Sequence, residues 1–263
     1  MLRVRASSLS ELFDCPHRWE AKHVLGLRMP GSAATQLGTA VHNGTAIFDQ
    51  SCLNGQMIPA DDIAGVVVDT LWHPSEEVDW GDSSPKEAEP IALSLYGKYC
   101  GQIAPMMEYV AVEEEMQDIE LPDIGIKLTG TTDRIYVDQF GEYGIADIKT
   151  GKTAVSADGV VKTSGHGAQV AIYELLTEFG TGRRITAPAR IIGLTSAKTE
   201  KAQRVGIGEI RDARELIIGA DGKPGLLEMA AQFLKSGMFY GNPKSSLCSE
   251  KFCPRFNTCF FRR

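Results

Sequence analysis

Residues 127–151 read Lys127-Leu-Thr-Gly130-Thr-Thr-Asp133-Arg134-Ile-Tyr-Val137-Asp-Gln-Phe-Gly141-Glu-Tyr143-Gly-Ile-Ala-Asp147-Ile148-Lys149-Thr-Gly151. Tyr143 to Lys149 reads as a strand that Gly151 ends. Lys127–Gly130 and Thr132–Val137 read as the strands before it. Gly141 sits at the turn between the two acid-bearing strands, so a hairpin would place Asp133 and Asp147 on neighbouring strands. Along a strand, residues two apart face one side, so Asp147 and Lys149 project together. Two carboxylates brought together can hold a divalent cation, which polarises a phosphate and lowers the pKa of a bound water. A lysine at the same point orients the water or stabilises developing charge. That combination suits phosphodiester hydrolysis. Taken alone, Asp-x-Lys is read more plainly as a salt bridge on an exposed strand face.

A second motif overlaps this one. Ala146-Asp-Ile-Lys-Thr-Gly151-Lys152-Thr153 nearly matches a phosphate-binding loop, with alanine in place of the first glycine. Such a loop must open a helix whose N-terminus holds the phosphates. Ala154-Val-Ser-Ala-Asp-Gly159 has no helical stripe of useful length, which weighs against a nucleotide triphosphatase.

The chain has 263 residues, enough for one substantial core. It lacks an apolar run of about 18 residues, so no transmembrane helix is expected. Met1-Leu-Arg-Val-Arg-Ala-Ser-Ser has no apolar signal region, and a cytoplasmic location, in a bacterial or phage-infected cell, is the expectation. In that compartment six cysteines do not form disulfides as a rule. The net charge of −7 argues against a protein that coats nucleic acid, yet a local basic groove can exist on an acidic chain.

Ser8-Leu-Ser-Glu11 has the form of a capping box, and Pro16 can start a second short helix ending near Gly26. Thr35–Cys52 reads as a helix with Leu37, Val41, Gly44 and Phe48 on its packed stripe. Residues 54–84 read as polar, with one apolar patch from Ile63 to Leu71. Pro85–Ile103 and Ser164–Phe179 read as helices, and Arg211–Ser236 as mainly helical with a break at Asp221-Gly222. The strand-rich centre begins at Tyr109, and further strands are expected at 189–196 and 202–207.

Cys248, Cys253 and Cys259 are spaced C-x4-C-x5-C, and Cys15 lies more than 230 residues upstream. Three clustered thiolates need a fourth to close a tetrahedral zinc or a four-iron cluster, and Cys15 is the best donor. Zinc sites usually show C-x2-C knuckles, so the wider spacing favours iron–sulfur. Zinc, or a reduced tail without metal, stays open on spacing alone. Cys52 and Cys100 fall in helical patterns and read as buried small apolar residues. Gly38 and His42 share a helix face, as do Gln169 and Tyr173. A glycine there would let the helix approach a sheet and bring His42 to a metal. An ordinary helix histidine and ordinary helix surface are the plainer alternatives.

Together these pieces resemble the RecB-like branch of the PD-(D/E)XK nuclease superfamily, in its iron–sulfur subgroup of AddB-type, CRISPR-associated RecB-like and phage exonucleases. Gly38–His42 matches a G-x-x-x-H helix, Gly130–Arg134 a G-x-x-D-R motif, Asp147–Gly151 a D-x-K-T-G motif and Gln169–Tyr173 a Q-x-x-x-Y helix. The order is preserved across nearly the whole chain, and the C-x4-C step departs from the usual C-x2-C. The resemblance implies an α/β restriction-endonuclease-like core, a mixed central sheet flanked by helices. It implies His42, Asp133, Asp147 and the Ile148 carbonyl as ligands of magnesium or manganese, with Lys149 as the catalytic lysine. It implies Gln169 and Tyr173 as residues that position DNA, and Cys15, Cys248, Cys253 and Cys259 as ligands of a 4Fe–4S cluster. One nuclease domain over residues 1–263 is expected, with 1–30 and 238–263 forming the cluster subregion and 31–237 the nuclease core. The expected activity is a metal-dependent DNA exonuclease of recombination, repair or phage DNA processing, acting on single strands or ends. DNA is the partner, and a helicase, recombinase or single-strand-binding protein is a further one. The rival is a non-catalytic DNA-binding or assembly subunit that keeps the fold.

Overall fold

The computed structural model describes residues 1–56 and 58–262. β1 (Leu2–Arg5) leads through a 3₁₀ turn into α1 (Leu9–Asp14) and α2 (Pro16–His23). α3 (Ala33–Leu53), α4 (Ala60–Trp72) and α5 (Pro85–Lys98) follow, the last running into a π-helical segment, Tyr99–Ile103. Then come β2 (Glu108–Glu115), β3 (Ile119–Leu121), β4 (Ile126–Thr129), β5 (Thr131–Val137) and β6 (Tyr143–Gly151). α6 (Gly167–Thr181) crosses over to β7 (Ala189–Thr195) and β8 (Val205–Ile210), before α7 (Ala213–Ile218) and α8 (Leu226–Ser236).

The central sheet has five strands in the order β8-β7-β6-β5-β2. Its one parallel pair, β6 with β7, is bridged by α6, because parallel neighbours need a crossover that a tight turn cannot supply. The other three pairs are antiparallel, and β5–β6 is the expected hairpin, with Arg134 opposite Ala146 and Val137 opposite Tyr143. A second sheet, β1-β4-β3, pairs Leu2–Arg5 with Ile126–Thr129 in parallel.

The period-two alternation of the strands divides the sheet between two apolar layers. Ile135, Ile145 and Ile191 face the layer made with α6, α1 and α8. Tyr136, Ala146, Ile148 and Ile192 face the layer made with α3, α4 and α5. Gly38 sets how closely α3 lies on the sheet: a Cβ there would meet Thr150 Oγ1 of β6 at 2.6 Å. Among the described residues no helix is long and apolar enough to cross a membrane.

Two local expectations are corrected, and two elements form where none was expected. Ser8 does not cap α1; its hydroxyl donates to the Arg5 carbonyl at 2.9 Å, because a 3₁₀ turn occupies the place where the capping box would close. Leu2–Arg5 is a strand, which its apolar–basic alternation allows and a four-residue run hardly signals. The patch from Ile63 to Leu71 is the buried stripe of α4, whose Ile63, Val67 and Leu71 recur at four-residue steps. The strand expected at 202–207 starts at Val205, after a 3₁₀ turn at Glu200–Ala202. The helix breaks at Pro16 and at Asp221-Gly222 lie where expected. No helix opens after Lys152-Thr153; the residues of the apparent phosphate loop run on in β6 to Gly151.

Candidate active site

The β5–β6 register, continued one step past Arg134–Ala146, sets Asp133 across from Asp147. The ladder ends at that step, and the Asp133 carboxylate takes over a backbone donor, accepting Ile148 N–H at Oδ2, 3.0 Å away. His42 reaches the same oxygen from α3, with Nε2 at 3.0 Å. Glu113 of β2 lies 3.5 Å from His42 Nε2. Among the described residues, His42, Glu113 and Asp133 form a group whose ligand atoms all fall within 4.8 Å of one another. Nothing in the sequence singled out Glu113, because it stands in a run of three glutamates that reads as a solvated edge strand. In the structure it has a left-handed φ of 50°.

Asp147 is fully buried and faces α6. Lys149 Nζ lies 2.6 Å from its Oδ2, and Gln169 Nε2 donates to its Oδ1 at 3.1 Å. The ammonium is close but off the hydrogen-bonding direction, so Oδ2 is a buried oxygen without a hydrogen-bond donor. An anionic oxygen left that way suits a cation. Gln169 also donates to the Tyr173 hydroxyl at 3.0 Å. Gly130 makes room for that ring: a Cβ there would meet Tyr173 Cε1 at 2.9 Å. The motif glycine and the motif tyrosine thus meet each other. Ile148 is buried in the layer made with α3, with its N–H already engaged by Asp133.

Burial raises the Asp147 pKa, and the neighbouring Asp133 charge adds to it against the pull of Lys149. Burial acts on Asp133 too, yet the bond to and charge of His42, with Lys149 and the Ile148 N–H, bring it below the usual carboxylate range. For His42, burial is outweighed by Asp133 and Glu113, and its pKa lies above the ordinary imidazole value. His166, just before α6, was not anticipated. Burial first, then the charges of Lys149 and Lys162, lower it to about 4, so it presents a neutral imidazole near Lys149.

Arg134, fully buried, anchors Glu113 from behind. Its guanidinium donates to Asp49 Oδ2 at 2.7 Å and to Glu113 Oε1 at 2.8 Å, and Tyr99 adds a 2.6 Å bond to Asp49. Arg134→Met should cost about 3–5 kcal/mol, because it leaves the Asp49 carboxylate buried and uncompensated. Chemical denaturation of the metal-free protein measures this. A loss under about 1 kcal/mol would mean that Asp49 is neutral in the folded state.

Cys15, Cys248, Cys253 and Cys259 line one pocket, apart from the side chains of the candidate active site. Burial raises the Cys253 pKa, and the other three cysteines add to the rise. The Asn242 N–H points at Cys15 Sγ, 3.4 Å away. Polar bonds already join the two termini: His17 N to Tyr240 O at 3.0 Å, Ser245 Oγ to Asp14 at 2.6 Å and Arg255 to Glu20 at 2.7 Å. Cys52 and Cys100 lie elsewhere, and Cys52 is exposed rather than buried, because it sits in the last turn of α3 where the helix leaves the core.

A family model of the PD-(D/E)XK nuclease superfamily matches residues 3–260. No curated protein matches the chain. Among solved structures, the chain is similar to a candidate exonuclease from Eubacterium rectale, with a TM-score of 0.54 and 15% identity, over 93% of this chain and 86% of that one. At that identity the likeness speaks for the fold alone. A second structure, of SSO0001, aligns over 99% of this chain and 87% of that one at 14% identity, with a TM-score of 0.43 that carries no argument.

Proposed function

Because the chain belongs to the PD-(D/E)XK nuclease superfamily, we propose that it is a divalent-metal-dependent deoxyribonuclease, an exonuclease acting on single-stranded DNA or DNA ends. The observation that carries this reading is the convergence of Asp133, Asp147 and Lys149 with His42 and Glu113 at one end of the sheet. Imidazole and carboxylate oxygens form a donor set for magnesium or manganese. His42, Asp133 and Asp147 would hold the ion with the Ile148 carbonyl, and Glu113 joins them. A bound cation there would polarise the phosphodiester and lower the pKa of an attacking water. Lys149 orients that water and offsets the charge that develops on the phosphate. Gln169 fixes the Asp147 carboxylate from the α6 side and Tyr173 supports Gln169. A non-catalytic subunit would be expected to have lost an acid or the lysine, and all three are present. The test is end-labelled single- and double-stranded DNA incubated with the protein and Mn²⁺ or Mg²⁺. Intact DNA under all four conditions would refute the reading.

The four cysteines support placement in the iron–sulfur RecB-like subgroup. The C-x4-C-x5-C spacing, without the C-x2-C knuckles usual for zinc, favours a multinuclear cluster over a single zinc.

Metal binding should be proton-linked. His42 ligates as the neutral imidazole, and its raised pKa keeps it protonated to a higher pH than usual. The ligand form is therefore lost as pH falls through that raised value. As the pH falls below that raised value the metal concentration for half-maximal cleavage should rise, by about tenfold per unit for each proton displaced. His42→Ala should raise the requirement at all pH values and flatten the slope. An unchanged requirement would make His42 an ordinary helix histidine.

A further inference from the structure

Alternation along β1 buries Val4 and leaves Arg3 and Arg5 exposed on the opposite face. Both arginines line a cleft whose far wall is Thr131 and Tyr173. That wall belongs to the catalytic centre. Thr131 stands two residues before Asp133 on β5 and shares its face. The Tyr173 hydroxyl is bonded to Gln169, which is bonded to Asp147. Among the described residues neither guanidinium is in an ion pair; Arg3 only donates Nε to Thr129 Oγ1 at 3.3 Å. Of the two carboxylates in the cleft, Asp118 is held by Lys127 at 3.1 Å, which leaves Glu115 beside two arginines.

A chain with net charge −7 repels a polyanion, so a substrate strand needs local cations to hold it near the carboxylates. The guanidinium fork matches phosphate oxygens. Side chains two apart on a strand are spaced by about 6.8 Å, close to the separation of successive phosphates on an extended single strand. We propose that Arg3 and Arg5 form a phosphate subsite that grips two consecutive phosphates of the substrate strand to one side of the scissile bond. This rests on the nuclease reading above and adds the path of the strand to it.

The test uses the full chain. Binding of a labelled single-stranded oligonucleotide is followed by anisotropy with Ca²⁺ in place of Mg²⁺, over a range of salt. Cleavage is followed in Mn²⁺ on the same strand and on bis(p-nitrophenyl) phosphate, which has no flanking phosphate. The Arg3→Ala/Arg5→Ala variant should bind the strand about tenfold or more weakly. Its slope of log K against log salt should be shallower by about 1.4, two contacts at about 0.7 each. The fall in kcat/KM should be carried by KM and grow with strand length. Arg3→Lys/Arg5→Lys should recover most of the affinity, and Glu115→Gln should tighten binding. An unchanged slope and affinity in the alanine variant overturns the subsite. So does a loss that falls equally on the small diester, which would place the arginines' effect in the catalytic centre. Wild-type protein that binds the strand but cleaves neither substrate refutes the nuclease reading, and the binding arm still judges the subsite.

Discussion

Asp147→Asn should give a folded protein that no longer cleaves DNA at any accessible metal concentration. The substitution keeps the shape of the side chain and removes one of the two facing acids. Asp133, Glu113 and His42 then face the cation without the buried carboxylate that lies across from Asp133, and hard cations are held by carboxylate oxygens. The same change should leave the metal-free protein at least as stable as the wild type. Burial and the neighbouring Asp133 raise the Asp147 pKa above its unfolded value. Its ionised form therefore opposes folding once the pH exceeds the unfolded value, and asparagine removes that cost. A thermal melt in chelator, set beside a cleavage assay in Mn²⁺, separates the two effects. Lys149→Ala should bind metal and still lose about 10²-fold or more in rate, as for a single electrostatic stabiliser. Wild-type cleavage by Asp147→Asn would move the active site elsewhere.

Cys15→Ala or Cys253→Ala should bleach the protein and destabilise it. Protein purified without oxygen should be brown and hold about four irons, with absorption near ~400 nm from thiolate-bound iron–sulfur. Metal bound only by the folded chain adds its binding energy to stability. Losing one ligand from a set that joins residues 15 and 248–259 should therefore lower the melting temperature by more than the loss of a methyl-sized side chain would. Cys52→Ala and Cys100→Ala should keep the colour, since neither lines the four-cysteine pocket. Colourless protein with stoichiometric zinc would overturn the cluster and leave the nuclease reading standing.

The hairpin and its two acids were legible because both signals are local: a period-two pattern and a turn, 14 residues from acid to acid. Gln169 and Tyr173 were legible as an i, i+4 pair, though not that Gln169 would bond Asp147. Glu113 was not legible. Its role comes from β2 pairing with β5 and from Arg134 pulling on it across the layer, and neither leaves a mark on the order of residues 113–115. β1 escaped notice for the same reason. Four residues carry too little pattern, and the strand exists because β4, more than 120 residues later, pairs with it. His166 fell inside the helix expected at Ser164–Phe179 and was not singled out; α6 starts at Gly167, and the histidine at its N-cap feels the charge of Lys149. The sequence carried periodicity and local spacing; contacts made by tertiary pairing had no such trace.

The separation of Cys15 from its three partners has a consequence in time. A chain leaving the ribosome presents Asp133, Asp147, Lys149, Gln169 and Tyr173 while Cys248, Cys253 and Cys259 are still being made. Domains assemble vectorially as they emerge, so every proposed catalytic side chain is available before the fourth sulfur can close the cage. A nascent chain that has emerged to about residue 240 should therefore bind Mn²⁺ with β1 and α1 already docked through β4 and α6, and any metal held by the four cysteines would enter last. If that chain binds no Mn²⁺, the C-terminal tail is needed to set the site.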